Sequence, residues 1–69
     1  MTQKQMILEH LKLAGSITPG QALEEYGCFR LSARIADLKD DGYAIRTEME
    51  TRRNRFGKSV RYARYRLEQ

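Results

Sequence analysis

Hydrophobic positions recur at two different spacings along this chain, and the change from one to the other falls at Gly42. Before it, Leu31, Ile35 and Leu38 follow the i, i+4, i+7 spacing of a buried helical stripe, with Arg30, Ala33, Arg34 and Asp37 on the opposite side. After it, Tyr43, Ile45, Thr47 and Met49 alternate with Ala44, Arg46, Glu48 and Glu50, the two-residue period of a half-buried strand. Gly42 can take the left-handed conformation that stops a helix. The spacing therefore predicts a helix, a glycine stop and a strand in immediate succession.

The same reading extends to both ends. Residues 3–14 form an amphipathic helix with Ile7, Leu8, Leu11 and Ala14 on one side, ended by Gly15. His10 lies on its polar side and is expected to be solvated, with no role. In Ile17-Thr18-Pro19-Gly20-Gln21, Thr18 caps, Pro19 suits the first helical position and Gln21 completes a capping box. A second helix, 19–26, starts there with Ala22, Leu23 and Tyr26 facing inward, and Gly27 ends it. The third helix is placed at 29–41, although Cys28, Phe29 and Arg30 offer no preferred cap.

Strands are placed near 43–50 and 59–67, the second with Ala63, Tyr65 and Leu67 inward and Tyr62, Arg64 and Arg66 outward. Ile17 can add a short third strand. The expected core is Leu8, Leu11, Leu23, Leu31, Ile35, Leu38, Ile45 and Tyr65.

Charge suggests a hairpin register. Opposite charges facing each other across an antiparallel pair are favoured, which sets Glu50 opposite Arg64, Glu48 opposite Arg66 and Met49 opposite Tyr65, with the turn centred on Gly57. A two-residue slip would instead put Arg46 across from Arg66. Phe56, at the tip, is read as folding back onto the hairpin, with a role as a wedge or stacking group for a base as the alternative.

Composition narrows the chemistry. A length of 69 residues suits one small domain over 1–69, with too little core for a large enzyme pocket. At 41% hydrophobic the chain is too apolar for a disordered one. A single cysteine, Cys28, and a single histidine, His10, make neither a disulfide framework nor a Cys/His zinc site within one chain. No metal or cofactor is expected, and a reducing cytoplasm suits the chain. No apolar run approaches the ~20 residues that span a bilayer, so neither a membrane partner nor a targeting segment is expected. Without a Ser/His/Asp or Cys/His constellation or a glycine-rich phosphate loop, no catalytic residue is assigned and the chain is not read as an enzyme.

The net charge of +4 is unevenly distributed. Residues 1–50 sum to −2, whereas 51–69 carry Arg52, Arg53, Arg55, Lys58, Arg61, Arg64 and Arg66 against Glu68 alone, or +6. A cluster of this kind is the electrostatic footprint of a polyanion-binding surface.

The order of elements, the Thr18-Pro19 helix start and Leu31-x-x-x-Ile35-x-x-Leu38-x-x-x-Gly42-Tyr43-x-Ile45 resemble the winged helix-turn-helix fold. That is an α+β fold of three helices followed by a two-stranded hairpin, the wing. Ile17-Thr18-Pro19, Gly27-Cys28-Phe29-Arg30-Leu31 and Ala63-Arg64-Tyr65-Arg66-Leu67 resemble, more narrowly, small helix-turn-helix proteins common in phages and their bacterial hosts.

The resemblance implies a sequence-specific, duplex DNA-binding transcription regulator in the cytoplasm of a bacterium or phage-infected host. Its third helix would enter the major groove and its wing would lie on the backbone or minor groove. Carried over by position, the DNA-binding residues are Arg30, Ser32, Ala33, Arg34 and Asp37 on the helix, with Arg52, Arg53, Arg55, Lys58 and Arg61 on the wing. Arg30 or Arg34 can contact guanine, Ala33 a thymine methyl and Asp37 a cytosine amine. Alternatively Arg34 and Asp37 form an ordinary surface ion pair. Glu24, Glu25, Asp37, Asp40 and Asp41 would repel phosphates if they faced the duplex, so they are expected to point elsewhere or pair. Specific recognition by so small a unit calls for a homodimer on two half-sites, or else the affinity is modest. A second reading is a protein-interaction module, an inhibitor or adaptor, that binds an acidic protein surface.

Overall fold

The computed structural model describes residues 1–68. Helix α1 (Gln3–Ala14) is followed by a short strand β1 (Ser16–Ile17), helices α2 (Pro19–Tyr26) and α3 (Leu31–Asp40), and strands β2 (Ile45–Arg53) and β3 (Ser59–Leu67). The strands form one antiparallel sheet in the order β1-β3-β2, so Ile17 does supply a third strand, opposite Tyr65. No helix among the described residues is long and apolar enough to cross a membrane.

Local chemistry sets most boundaries. Two capping boxes start α1 and α2: Thr2 and Thr18 accept from the backbone N–H of Gln5 and Gln21, whose side chains accept from the threonine N–H in return. At the far end of α3, Gly42 (φ 101°) donates to Lys39 O at 3.0 Å and Tyr43 donates to Leu38 O at 3.1 Å. This Schellman closure turns the chain out of the helix and places Tyr43 against the core.

The start of α3 differs from expectation. It begins at Leu31 and ends at Asp40, inside the 29–41 read from the pattern, and Arg30 at its N-cap makes no side-chain capping bond. Residues 28–30 instead form a non-helical turn that drives Cys28 into the core, where it is 1% exposed.

The core draws Ile7 and Leu11 from α1, Ile17 from β1, Ala22 from α2, Leu31, Ile35 and Leu38 from α3 and Ile45 from β2, together with Cys28. Leu8 and Tyr65 are half-buried at its margin, and Ala14 is exposed. Leu23 is 43% exposed, because α2 turns Ala22 toward the core instead. His10 is not solvated. Its Nδ1 lies 2.8 Å from the Tyr26 hydroxyl and 3.4 Å from a Glu25 carboxylate oxygen, joining α1 to α2.

The hairpin register is the two-residue slip, with Arg46 opposite Arg66, Glu48 opposite Arg64, Met49 opposite Ala63 and Arg53 opposite Ser59. Strand β2 accordingly begins at Ile45 rather than 43 and runs to Arg53 rather than 50. The turn decides this. Asn54 Oδ1 accepts from the N–H groups of Phe56 and Lys58, Asn54 N–H donates to Lys58 O, and Gly57 (φ 77°) donates to Asn54 O. That combination is a three-residue loop with glycine in the left-handed position, centred on Phe56 and not on Gly57. Turn geometry fixes which residues face one another, and the charges adapt to it.

Candidate nucleic-acid interface

Helix α3 packs principally against α1 and leaves its other side open. Of the residues expected on its displayed face, Arg30, Ser32 and Asp37 are exposed, while Ala33 and Arg34 are half-buried. Arg34 sits on the flank of the buried stripe. Its Nε lies 3.1 Å from Asp37 Oδ2, so the surface ion pair is formed. Arg30 has no carboxylate partner among the described residues. Ala36 and Lys39, which the pattern did not single out, are exposed as well. With Ser32 and Ala33 they make a surface of mostly small side chains, over which another molecule can approach the helix backbone closely. Because Arg30 supplies no cap, the first N–H groups of α3 keep their partial positive charge unneutralised.

The wing separates into a neutralised stem and a charged outer half. In the stem, Arg66 Nε donates to Glu48 at 2.8 Å, Arg64 Nε donates to Glu50 at 2.8 Å, and Arg46 reaches both Glu48 and Glu68. The hydrogen bond from Arg66 holds the Glu48 carboxyl below its ordinary range. Arg64, then Tyr62, do the same for Glu50. In return Glu50 raises the Arg64 guanidinium above its usual value. Arg64 also donates to Ser16 Oγ at 3.0 Å, tying the stem to β1.

Beyond Glu50 the hairpin carries no acid until Glu68. Arg52, Arg53, Arg55, Lys58 and Arg61 are all exposed, and none has a carboxylate within ion-pair distance among the described residues. Residues paired across the hairpin share a face. Arg52 therefore lies on the face of Val60 and Tyr62, whereas Arg53 and Arg61 lie on the face that carries Ile45 into the core. Arg55 and Lys58 flank the tip. The structure thus brings the five wing cations together as a positive projection with charge on both faces.

An open pocket of about 340 Å³ lies where the start of α2 meets the hairpin, lined by Thr18, Pro19 and Gly20 on one side and by Arg52, Tyr62 and Arg64 on the other. The expected relief of phosphate repulsion is partly built in, since Asp37 pairs with Arg34, Asp41 with Lys4 at 2.7 Å and Glu25 approaches His10. Glu24 and Asp40 remain exposed without a cation within reach among the described residues.

Two exposed aromatics stand out. Phe29, next to Arg30, is 84% exposed and Phe56, next to Arg55, is 83% exposed, while all four tyrosines are half-buried. Phe56 does not fold back onto the hairpin as the sequence suggested. Burying a phenylalanine is worth ~1.5–3 kcal/mol, which neither site realises in the free protein. The sequence signal for both was the same, an aromatic beside an arginine in a glycine-containing turn.

The family model for a winged helix-turn-helix domain matches residues 2–69. No individual curated protein matches the chain.

Proposed function

The chain belongs to the winged helix-turn-helix domain family, and from that premise we propose that it binds duplex DNA as a small transcription regulator of a phage or bacterium, acting in the cytoplasm. Helix α3 enters the major groove with Arg30, Ser32, Ala33, Arg34 and Asp37. The wing applies Arg52, Arg53, Arg55, Lys58 and Arg61 to the phosphates or minor groove.

The observation that carries this reading is the division of the hairpin. Every arginine of the stem has a glutamate partner, whereas the outer five cations have none among the described residues. Unpaired cations on a projecting element repel one another, a cost that a polyanion removes on binding by displacing counterions. Arg34 contributes to base readout only by leaving Asp37, so Arg30 is the freer guanine reader of the two.

Fluorescence anisotropy of labelled duplexes across a series of salt concentrations tests the proposal, with RNA and an unrelated acidic protein as competitors. The expected outcome is a log affinity that falls linearly with log salt, by about 0.9 for each phosphate contacted, and preferential enrichment of particular duplexes from a random pool. Binding to no duplex, or capture by the acidic protein in preference to DNA, would replace this reading with the protein-interaction module.

A further inference from the structure

Phe56 sits at the centre of the wing turn with its ring in solvent and with Arg55 and Lys58 on either side. A phenylalanine has no polar atom to hydrate, and the four tyrosines of this chain, which do, are all better covered. The turn that presents it is closely held: Asn54 Oδ1 accepts from Phe56 N at 2.9 Å and from Lys58 N at 3.1 Å, and Gly57 N donates to Asn54 O at 3.0 Å. The ring is therefore held outward by a backbone that is already ordered, and presenting it to a partner costs little conformational entropy.

The charges around it select the partner surface. Arg52 projects from one face of the hairpin, and Arg53 and Arg61 from the other. Apolar side chains that wedge between base steps do so from the minor groove, the narrower of the two at about 6 Å against about 12 Å. A hairpin entering the narrower groove tip-first sets each charged face against one phosphate wall and points the tip at the base edges. Polar side chains at such a tip read the groove floor, whereas an apolar one can gain contact there only by entering the stack between base pairs.

We propose that Phe56 is a wedge, which enters the minor groove of duplex DNA and unstacks one base step, bending the duplex toward the major groove. The proposal rests on the duplex-binding reading above. Unstacking costs least at TA and CA/TG steps, so Phe56 adds a preference for such a step beneath the wing without a hydrogen bond to any base.

The test uses the full chain and its Phe56→Ala and Phe56→Leu variants. The probe is the duplex recovered from the random pool with 2-aminopurine replacing one adenine at a time, or a duplex with one central TA step if the pool does not converge. The wild-type protein is expected to raise 2-aminopurine fluorescence at one step and to shorten the end-to-end distance of a doubly labelled duplex. F56A is expected to abolish both and to weaken binding roughly tenfold, the usual effect of replacing one base-stacking aromatic by alanine. Its salt slope stays unchanged, because every phosphate-binding cation is still in place. F56L, with an apolar side chain that can also wedge, restores part of the fluorescence change.

The ring is exposed, so F56A should keep the wild-type melting temperature. If F56A binds and bends the duplex as the wild type does, the wedge is overturned while the duplex-binding reading stands. A Phe56-dependent gain on single strands, with no fluorescence change in duplex, likewise overturns it in favour of stacking on unpaired bases. Absence of salt-dependent duplex binding by the wild-type protein would remove both.

Discussion

Arg66 stands directly across the hairpin from Arg46, yet its Nε donates 2.8 Å diagonally to Glu48, which Arg46 approaches at 3.2 Å from the same strand. One carboxylate thus separates two facing guanidinium groups. Replacing Glu48 by glutamine should leave that like-charge pair with only Glu68, 3.6 Å from Arg46, as counter-charge and lower the melting temperature by more than Glu24→Gln does, since Glu24 has no cation within reach among the described residues. The difference should shrink in high salt, which screens exposed charges. Circular dichroism melts at two salt concentrations measure it.

Acid should act on the same stem. Glu48 and Glu50 have carboxyls lowered by Arg66 and Arg64 in the folded protein, so folding releases protons that the unfolded chain holds. Their contribution to stability is complete above the ordinary glutamate value and is lost as the pH falls through the lowered, folded values. Melting temperature should therefore fall on acidification from about pH 5 downward. In a Glu48→Gln, Glu50→Gln double variant that fall should be shallower.

Leu38 and Leu23 test the assignment of the core. Leu38 is fully buried and Leu23 is 43% exposed. Leu38→Ala should cost ~2–5 kcal/mol, a large share of what so small a fold possesses, whereas Leu23→Ala should cost under about 1 kcal/mol. Urea unfolding of the two variants compares them directly.

At the wing tip, Gly57 holds φ 77° with open space around the position of a β-carbon. Gly57→Ala therefore meets no clash, and its cost is the ~1–2 kcal/mol of a left-handed L-residue. It should raise amide exchange in residues 53–59 while leaving exchange in α1 and α3 unchanged.

Arg52, Arg53 and Arg55 replaced together by alanine should reduce binding to all duplexes alike and flatten the dependence of log affinity on log salt by up to ~3 units. Asp37→Asn should act in the opposite direction, strengthening non-specific binding, because it removes a negative charge from the displayed side of α3 and frees Arg34. Arg30→Ala should relax discrimination at one base pair by ~1–3 kcal/mol if Arg30 reads guanine. Anisotropy titrations on a selected and a scrambled duplex separate these effects.

The sequence alone determined the elements, because each is set by near-neighbour chemistry. The capping box at Thr18-Pro19-Gly20-Gln21, the stripe Leu31, Ile35, Leu38 and the period change at Gly42 act within a few residues of themselves, and α1, α2 and β3 fall where those signals put them. The ion pairs Glu48–Arg66 and Glu50–Arg64 were legible too, since both acids alternate onto the face that carries Arg64 and Arg66.

Tertiary structure decided what depends on alignment between distant segments. The Asn54 turn set the register two residues from the one that charge favoured, so the same pairs form diagonally instead of face to face. Docking of α2 chose Ala22 over Leu23 for the core and drew His10 against Tyr26. The turn also carried Phe56 outward. No local pattern carries that information, because a strand's period of two says which residues share a face but not which residues meet across it.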